Sequence, residues 1–379
     1  MKFTVLFSEI TDQLKEMSRI AASNKPEASM QNILMTVKDK KLIMRSTDGN
    51  IELEAEVPLV DVESDGATTI NAGKLFEVCS KSGKSSAATI TLDAEAQMLQ
   101  VEADSTIYEI RSPSADTFPS FEDVNEGLTV TLKQKQLKEL LEMAGFCVTN
   151  DDFRDYLRGI RFEGEDKHLS VFSSDGHRMA ILETTLLEPL SEPLGALLTK
   201  NSAIQISNII DGNSDQPVNL IITKNTVSVN CNGYKLKSKL IVCAYPNVRS
   251  VIPENIESTV EVNTKRFSSL VSRVAVISSK RVNGVTMTFG NNSYSLRASN
   301  SERETAIHTE KIDGYSGALV EVSLNASYVI ETLGHIKTDN TKLYFPAPLN
   351  SVLFSPVTEE NSPKDDAILA KYIISKIAV

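Results

Sequence analysis

Residues 173 to 177 read Ser-Ser-Asp-Gly-His, and a hydroxyl, a carboxylate and an imidazole within five positions are the parts of a hydrolase. In such a site the imidazole takes the serine proton while the acid orients the ring. The nucleophile must also stand on a strained elbow of the G-x-S-x-G kind, and no such stretch occurs. Ser-Gly-Lys-Ser-Ser at 82 to 86 mimics the end of a phosphate-binding loop, but Val78 stands where that loop needs its first glycine. The four cysteines, Cys79, Cys147, Cys231 and Cys243, form no C-x-x-C pair, and no histidine lies near them at metal-ligand spacing. They read as thiols of a reducing compartment. No catalytic residue, metal or cofactor is expected.

The same turn occurs earlier without the histidine, as Ser-Thr-Asp-Gly-Asn at 46 to 50. Asp48 and Asp175 suit a turn because the short carboxylate bonds back to its own backbone, and Gly49 and Gly176 accept positive φ. Recurrence points to duplication. Three segments carry apolar residues at i, i+4 and i+7, one face of a helix: Ile10, Leu14, Met17; Leu137, Leu141, Ala144; Phe267, Val271, Val274. Successive copies are offset by 127 and 130 residues. A second helical segment follows each, from Asn71, Leu198 and Ser323, and strand-like alternation fills the intervals, as in KKLIMRS, KHLSVFSS and SYSLRAS. The expected fold is α+β: three modules, over 1–124, 125–254 and 255–379, each with two helices on antiparallel sheet.

The 379 residues carry a formal net charge of -11, with a sequence pI near 5.1, so bulk attraction to nucleic acid is excluded. Local cations remain: Lys15, Arg19, Lys135, Lys138, Arg266 and Arg273 on the wet faces of the first helices, and Lys74, Lys81, Lys200 and Lys337 on the second. Acids such as Asp12, Glu16, Glu139 and Glu142 share the first two faces. From Val262 to Ser301 there is no acid at all, while Lys265, Arg266, Arg273, Lys280, Arg281 and Arg297 are present, which predicts a segregated basic surface in the third module. The amino-terminal MKFTVLFSEI lacks the apolar run of a signal peptide, and no stretch reaches the ~20 apolar residues of a membrane span. A cytoplasmic protein is expected.

Along its whole length the chain resembles the bacterial sliding clamp, the beta subunit of DNA polymerase III, as a divergent member. The pieces that carry the likeness are MKFTV, INAGKLFEVCS, DDFRDYLRGIRFE, SSDGHRMA, SKLIVCAYPNVRSVIP, LNASYVIETL and the terminal KYIISKIAV, in order. The resemblance implies a head-to-tail homodimer of six modules closing a ring, helices inside and sheets outside, with duplex DNA threaded through and polymerases tethered to it. Six helices per chain at ~10 Å spacing close a circle roughly 38 Å across at the axes and about 28 Å inside, which admits a duplex. A clamp loader, polymerase subunits, mismatch-repair proteins and ligase are the partners implied.

By the same resemblance Lys25, Lys74 and Tyr156 approach DNA, joined by the helix cations Lys135, Lys138, Lys200, Arg266, Arg273, Lys280 and Arg281. Leu157, Ser174, Gly176, His177, Arg178, Met179, Pro246 and Val251 match a cleft that receives partner peptides. The tail Ile373, Ile374, Ser375, Lys376, Ile377 and Val379 completes it. Tyr108 and Ile110 in the first module, with Val276 and Ile277 in the third, match the dimer interface. The chain departs from the family in having Gly73 for an arginine, Ser250 for a frequent arginine, and Ser375 and Lys376 where apolar residues are usual. An altered tail makes a clamp-shaped scaffold that never encircles DNA the alternative reading.

Overall fold

One order of elements occurs three times. It runs first as β1 (Lys2–Leu6), α1 (Phe7–Ala21), β2 (Asn32–Lys38), β3 (Lys41–Thr47), β4 (Ile51–Pro58), the short β5 (Asp61–Ser64), β6 (Gly66–Asn71), α2 (Ala72–Lys81), β7 (Ala87–Asp93), β8 (Met98–Ala103) and β9 (Thr106–Arg111). The second copy is β10 (Leu128–Lys133), α3 (Gln134–Gly145), β11 (Gly159–Glu165), β12 (His168–Ser174), β13 (Arg178–Thr185), β14 (Leu194–Thr199), α4 (Lys200–Ile209), β15 (Pro217–Ile222), β16 (Thr226–Cys231) and β17 (Tyr234–Lys239). The third is β18 (Ile256–Asn263), α5 (Thr264–Ala275), β19 (Gly284–Gly290), β20 (Ser293–Ser299), β21 (Thr305–Lys311), β22 (Val320–Asn325), α6 (Ala326–His335), β23 (Asn340–Pro346), β24 (Ser351–Pro356) and β25 (Leu369–Ser375). The computed structural model describes residues 1–21, 28–83, 86–119, 121, 126–312, 315, 317–358 and 367–378. In each module two strands, β2 and β3, β11 and β12, β19 and β20, lie between the first helix and the Asp-Gly-type turn.

Every apolar stripe predicted for the first helices is buried: Ile10, Leu14 and Met17 on α1, Leu137, Leu141 and Ala144 on α3, Phe267, Val271 and Val274 on α5. Burying one such aliphatic side chain is worth about 1.5–3 kcal/mol, far more than helix propensity contributes. Asparagines cap three helices: Asn71 accepts from the Lys74 amide, Asn263 from that of Arg266, and Asn325 from those of Ser327 and Tyr328, each at 3.0–3.3 Å.

The chain falls into two compact units that do not follow the three modules. One holds Met1–Lys138 and Asn201–Leu240, the other Glu139–Lys200 and Ile241–Val379. In the first unit α1 packs on α2, β3 and β4. Its five-stranded sheet runs β5-β1-β7-β8-β9, and its eight-stranded sheet runs β10-β15-β16-β17-β4-β3-β2-β6. In the second, α5 packs on α6, β20 and β21, with a four-stranded sheet β21-β20-β19-β22 and an eight-stranded sheet β14-β11-β12-β13-β25-β24-β23-β18. Each eight-stranded sheet is therefore two half-sheets from successive modules, joined edge to edge. The antiparallel joins are β4 with β17 and β13 with β25.

The Asp-Gly turn is the same object in the first two modules. Asp48 Oδ1 accepts from the amides of Asn50 and Ile51, both at 2.8 Å, and Asp175 Oδ1 from those of His177 and Arg178, both at 2.9 Å. Thr47 and Ser174 hydroxyls each accept a glycine amide at 3.0 Å and donate to the carbonyl of Ile51 and of Arg178. Gly49 and Gly176 sit at φ of +83° and +87°, where a side chain would be strained. The third module keeps the plan with Asn300, whose Oδ1 accepts from Glu302 and Glu304.

At the β4–β17 join, Lys237 Nζ donates to Glu52 Oε1 at 3.2 Å, and both side chains are 5% exposed. Burial pushes the Glu52 carboxyl above its usual range even beside the ammonium. A buried pair is costly to break because the survivor keeps its desolvation penalty. Glu52→Gln is expected to lower unfolding stability by about 3–5 kcal/mol, and Glu52→Gln with Lys237→Met to recover most of it. Denaturant titration of the three proteins checks this; equal midpoints for wild type and Glu52→Gln would contradict it.

Candidate peptide-binding surface and helix cations

Strand register assembles the candidate cleft in the second unit. Ser174 lies opposite Met179, Met179 opposite Ile373, Ile373 opposite Leu353, and Leu353 opposite Tyr344, a single row across β12, β13, β25, β24 and β23. Two residues along, Ile181 faces Phe172 on the same side, since side chains alternate. Phe172, Met179, Ile181, Val248, Leu353 and Ile373 form one buried apolar cluster, against which Tyr245, Ile252 and Tyr344 pack. Val248 and Ile252 come from the 3-10 turn Val248–Val251 and the residue after it. Arg249, from the same turn, lies over the Phe172 ring at 5.0 Å and donates to Glu163 at 2.7 Å.

The predicted cleft residues divide around this cluster. Met179 and Ile373 belong to its floor, Leu157 is buried, and Pro246, His177 and the 55%-exposed Val251 are open to solvent. Phe172, Ile181, Val248 and Leu353 were not singled out from sequence, although the alternation in HLSVFSS and RMAILETT marks Phe172 and Ile181 as one-faced strand residues. Ile373, Ile374 and Ser375 are the end of β25, with Ile373 and Ile374 buried. Beyond them Ser375 donates its amide to the His177 carbonyl at 2.8 Å, Lys376 to that of Asn350 and Ile377 to that of Ser323, each at 2.9 Å. Val379 lies outside the described residues. Two cavities, of about 350 Å³ beside Arg266 and about 280 Å³ beside His335, share no residue with the cluster.

Arg178 points its charge away from the apolar row. Its side chain is 9% exposed and donates from Nε to Asp175 at 2.9 Å, from Nη2 to the Phe146 carbonyl at 2.9 Å, and from Nη1 to Glu331 on α6. The guanidinium also lies over Phe146 and Tyr328, at 5.0 and 4.5 Å. Phe146 in turn stacks on His335 at 4.2 Å, and burial lowers the His335 pKa, favouring the uncharged ring there. Arg154 donates to both carboxylate oxygens of Asp152, whose pKa is lowered to about 2. His177 is exposed and parallel to Tyr328 at 6.2 Å. The Ser174 hydroxyl donates to a backbone carbonyl and Asp175 is committed to amides and Arg178, so the Ser-Asp-His stretch is a turn and not a nucleophile with its base.

The predicted DNA-facing cations fare unequally. Lys74, Arg273, Lys280 and Arg281 are exposed. Lys135 is paired with Asp215 at 2.5 Å, Lys138 donates to the Ile210 carbonyl at 3.2 Å and Lys200 to the Val148 carbonyl at 3.0 Å. Arg266 donates to Glu310 on β21 at 2.7 Å, so an acid from outside the acid-free stretch returns to it in space. More of that stretch is sheet than helix, with Arg297 on β20. Tyr156 is half-buried, edge-on to Tyr245 at 6.3 Å, and Lys25 lies outside the described residues.

Of the interface candidates, Ile110 is buried in its own sheet and Tyr108 and Ile277 are half-buried, while Val276 is 78% exposed. Ile107, on the other face of β9, and Ile307 on β21 are exposed instead. Among the described residues, no three His, Cys, Asp or Glu side chains are grouped to hold a metal, and no helix is long and apolar enough to cross a membrane. Burial pushes the Cys79 thiol up to about 12 and raises that of Cys147 further.

Family models of the DNA polymerase III beta subunit match this chain in order: the N-terminal domain over residues 1–122, the central domain over 131–247 and the C-terminal domain over 249–367. The "Beta sliding clamp" of Escherichia coli K12 is 27% identical over 96% of this chain and 98% of its own length, and that of Vibrio cholerae is equally similar with the same coverage. The fold is that of a Pseudomonas aeruginosa sliding clamp crystallised with griselimycin, with a TM-score of 0.91 at 22% identity over both full chains. The clamp of Bacillus subtilis gives 0.91 at 19%, over all of this chain and 99% of the other. With three clamp domains matched in order over nearly its whole length, the chain belongs to the DNA polymerase III beta subunit family.

Proposed function

We propose that this chain is a non-catalytic processivity factor acting on DNA in the cytoplasm. Two copies join head to tail, close around duplex DNA without reading its sequence, and tether polymerases and other DNA enzymes through short apolar peptides. A clamp loader opens the ring; mismatch-repair proteins and ligase belong to the same partner class. The observation that carries this reading is the thrice-repeated module, whose edge strands join successive modules within the chain and leave β9 and β21 as unjoined edges among the described residues.

Retention is then topological. A closed ring stays on a long duplex without tight contacts, so the exposed cations need supply only weak phosphate attraction, each contact adding a slope of about -0.9 in log affinity against log salt. Acids beyond a Debye length of ~8 Å barely disturb that attraction. In the cleft, the buried Met179, Ile373 and Leu353 with the partly buried Tyr344 offer an apolar floor, and Val251, Pro246 and His177 form its rim. Met179, unbranched and adaptable, suits a floor that must re-pack around different side chains.

Two measurements test these parts. Lys74→Glu with Arg273→Glu is expected to shorten retention on circular DNA about tenfold and to reduce the salt slope by roughly two contacts. The native mass should stay at twice the 41.5 kDa of the chain. Unchanged retention at low salt would place the DNA face elsewhere. For the cleft, Met179→Glu and Val251→Glu should each weaken binding of an apolar polymerase-derived peptide at least tenfold, about 1.4 kcal/mol, with the dimer intact. Equal affinity in both variants would move the site. Removal of residues 373–379 is a poorer probe, because Ile373 and Ile374 are core residues of β25.

A further inference from the structure

The loop between α3 and β11 carries Phe153, which at 91% exposure is the most open large apolar side chain among the described residues. That loop is nonetheless tied down. Thr149 donates its amide to the Leu157 carbonyl at 3.3 Å, and Asp152 accepts from Arg154 three times: from the amide at 2.8 Å, from Nε at 2.9 Å and from Nη2 at 2.8 Å. A bidentate arginine–carboxylate pair fixes direction as well as distance. The backbone that carries the ring is therefore held, and a pre-ordered aromatic loses little freedom when another group settles on it.

The same arginine joins the loop to the candidate cleft. A Cβ at Gly176 would come within 2.9 Å of Arg154 Nη2, so the guanidinium lies against the Asp-Gly turn whose next residue is the exposed His177. Tyr156, three residues past Phe153, stands edge-on to Tyr245, which packs on the apolar cluster. Phe153 thus sits on the bank of the cleft, beyond the floor made by Met179 and Ile373.

Charge decides what such a ring can take. Arg154 lies over one face of it at 5.5 Å, and its own charge is answered by Asp152. Asp155 and Asp175 likewise face Arg158 and Arg178, at 3.3 and 2.9 Å. Asp151, two positions before Phe153, is exposed, and among the described residues no side chain pairs with its carboxylate. An open aromatic face near an unanswered carboxylate suits an amphipathic cation, with its methylene stem on the ring and its head at the acid. Phosphate suits it badly, because from Asp151 to Arg158 three acids outnumber two arginines. On the other side of the turn the His177 carbonyl accepts the Ser375 amide, and the next residue, Lys376, is exposed with no side-chain pair among the described residues.

We propose that, resting on the cleft reading above, Phe153 and Asp151 form a flanking subsite that selects partner peptides with a lysine or arginine beside their apolar residues. The stem of that residue packs on the free face of Phe153, and its charge pairs with Asp151. Lys376 holds a like charge across the His177 turn, so the preference applies to one flank of the peptide and not to both.

Peptide titration against the full-length protein tests this, with one apolar polymerase-derived peptide made in three forms: alanine on both flanks, lysine on the amino flank, and lysine on the carboxyl flank. One lysine form should bind about fivefold tighter than the alanine form, as a cation–π contact joined to an exposed ion pair would give, and the other should bind no tighter. Phe153→Ala and Asp151→Asn should each remove most of that advantage and leave the affinity of the alanine form unchanged. Both residues are exposed, so the variants keep the fold, which thermal unfolding and native mass verify. Equal affinity of wild type for all three peptides, a gain from lysine on both flanks, or a loss in either variant that is the same for every peptide overturns the subsite while sparing the cleft. So does a Phe153→Ala protein that binds all three peptides as wild type does but is retained less on circular DNA, which makes the ring a nucleic-acid contact. A wild-type protein that binds none of the three overturns the cleft reading and the subsite with it.

Discussion

An edge strand with unsatisfied amides and carbonyls must be covered, blunted or paired, and this protein pairs it. The antiparallel joins β4–β17 and β13–β25 turn half-sheets of successive modules into continuous eight-stranded sheets. Five and six residue pairs hold the two joins, so each is a ladder as extensive as those inside a module. By this rule β21 and β9 are left, among the described residues, with a neighbouring strand on one side only. On the proposed reading a second copy under two-fold symmetry closes the assembly, and a closed assembly is what sequence-independent retention on DNA needs.

One backbone geometry carries different chemistry at each join. Where β4 meets β17, the outward positions hold Glu52 and Lys237 as a buried ion pair. At β13 and β25 the corresponding positions hold Met179 and Ile373, and with Phe172, Ile181 and Leu353 they become an apolar floor. The ion pair makes the first join polar where the second is apolar, and Val248 and Ile252, from the Val248–Val251 turn and the residue after it, pack against the second. The Ser-Ser-Asp-Gly-His stretch takes its meaning from this. Its turn is the same device that starts the edge strand in the first module, and its histidine is exposed to solvent.

Much of this was legible in sequence because it is local. Helical stripes, Asp-Gly turns and the Asn-Gly hairpin at 232 to 233 are set by residues within a few positions of one another; the stripes recur in all three modules, the Asp-Gly turn in the first two and the Asn-Gly hairpin in the second. Long-range pairings were not legible. Nothing local to Arg178 marks that Glu331, 153 positions away, and the Phe146 carbonyl take its guanidinium. Arg266 belonged to an acid-free stretch in sequence, yet Glu310 reaches it from a strand 44 positions on. The terminal KYIISKIAV carries no local sign of its neighbour, and only the β13–β25 register places Ile373 and Ile374 in the middle of a sheet. Leu353 carries no local mark of function at all; it joins the floor because Ile373 lies opposite it.

Topological retention is the claim on which the account stands, and one comparison reaches it directly: the lifetime of the loaded protein on closed circular DNA against the same DNA cut once after loading. A ring predicts stable residence on the circle at salt concentrations that abolish phosphate contacts, and rapid loss by sliding off the ends once the circle is opened. Equal lifetimes on the two forms, falling together as salt rises, would mean that contacts alone hold the protein and that no closed ring exists.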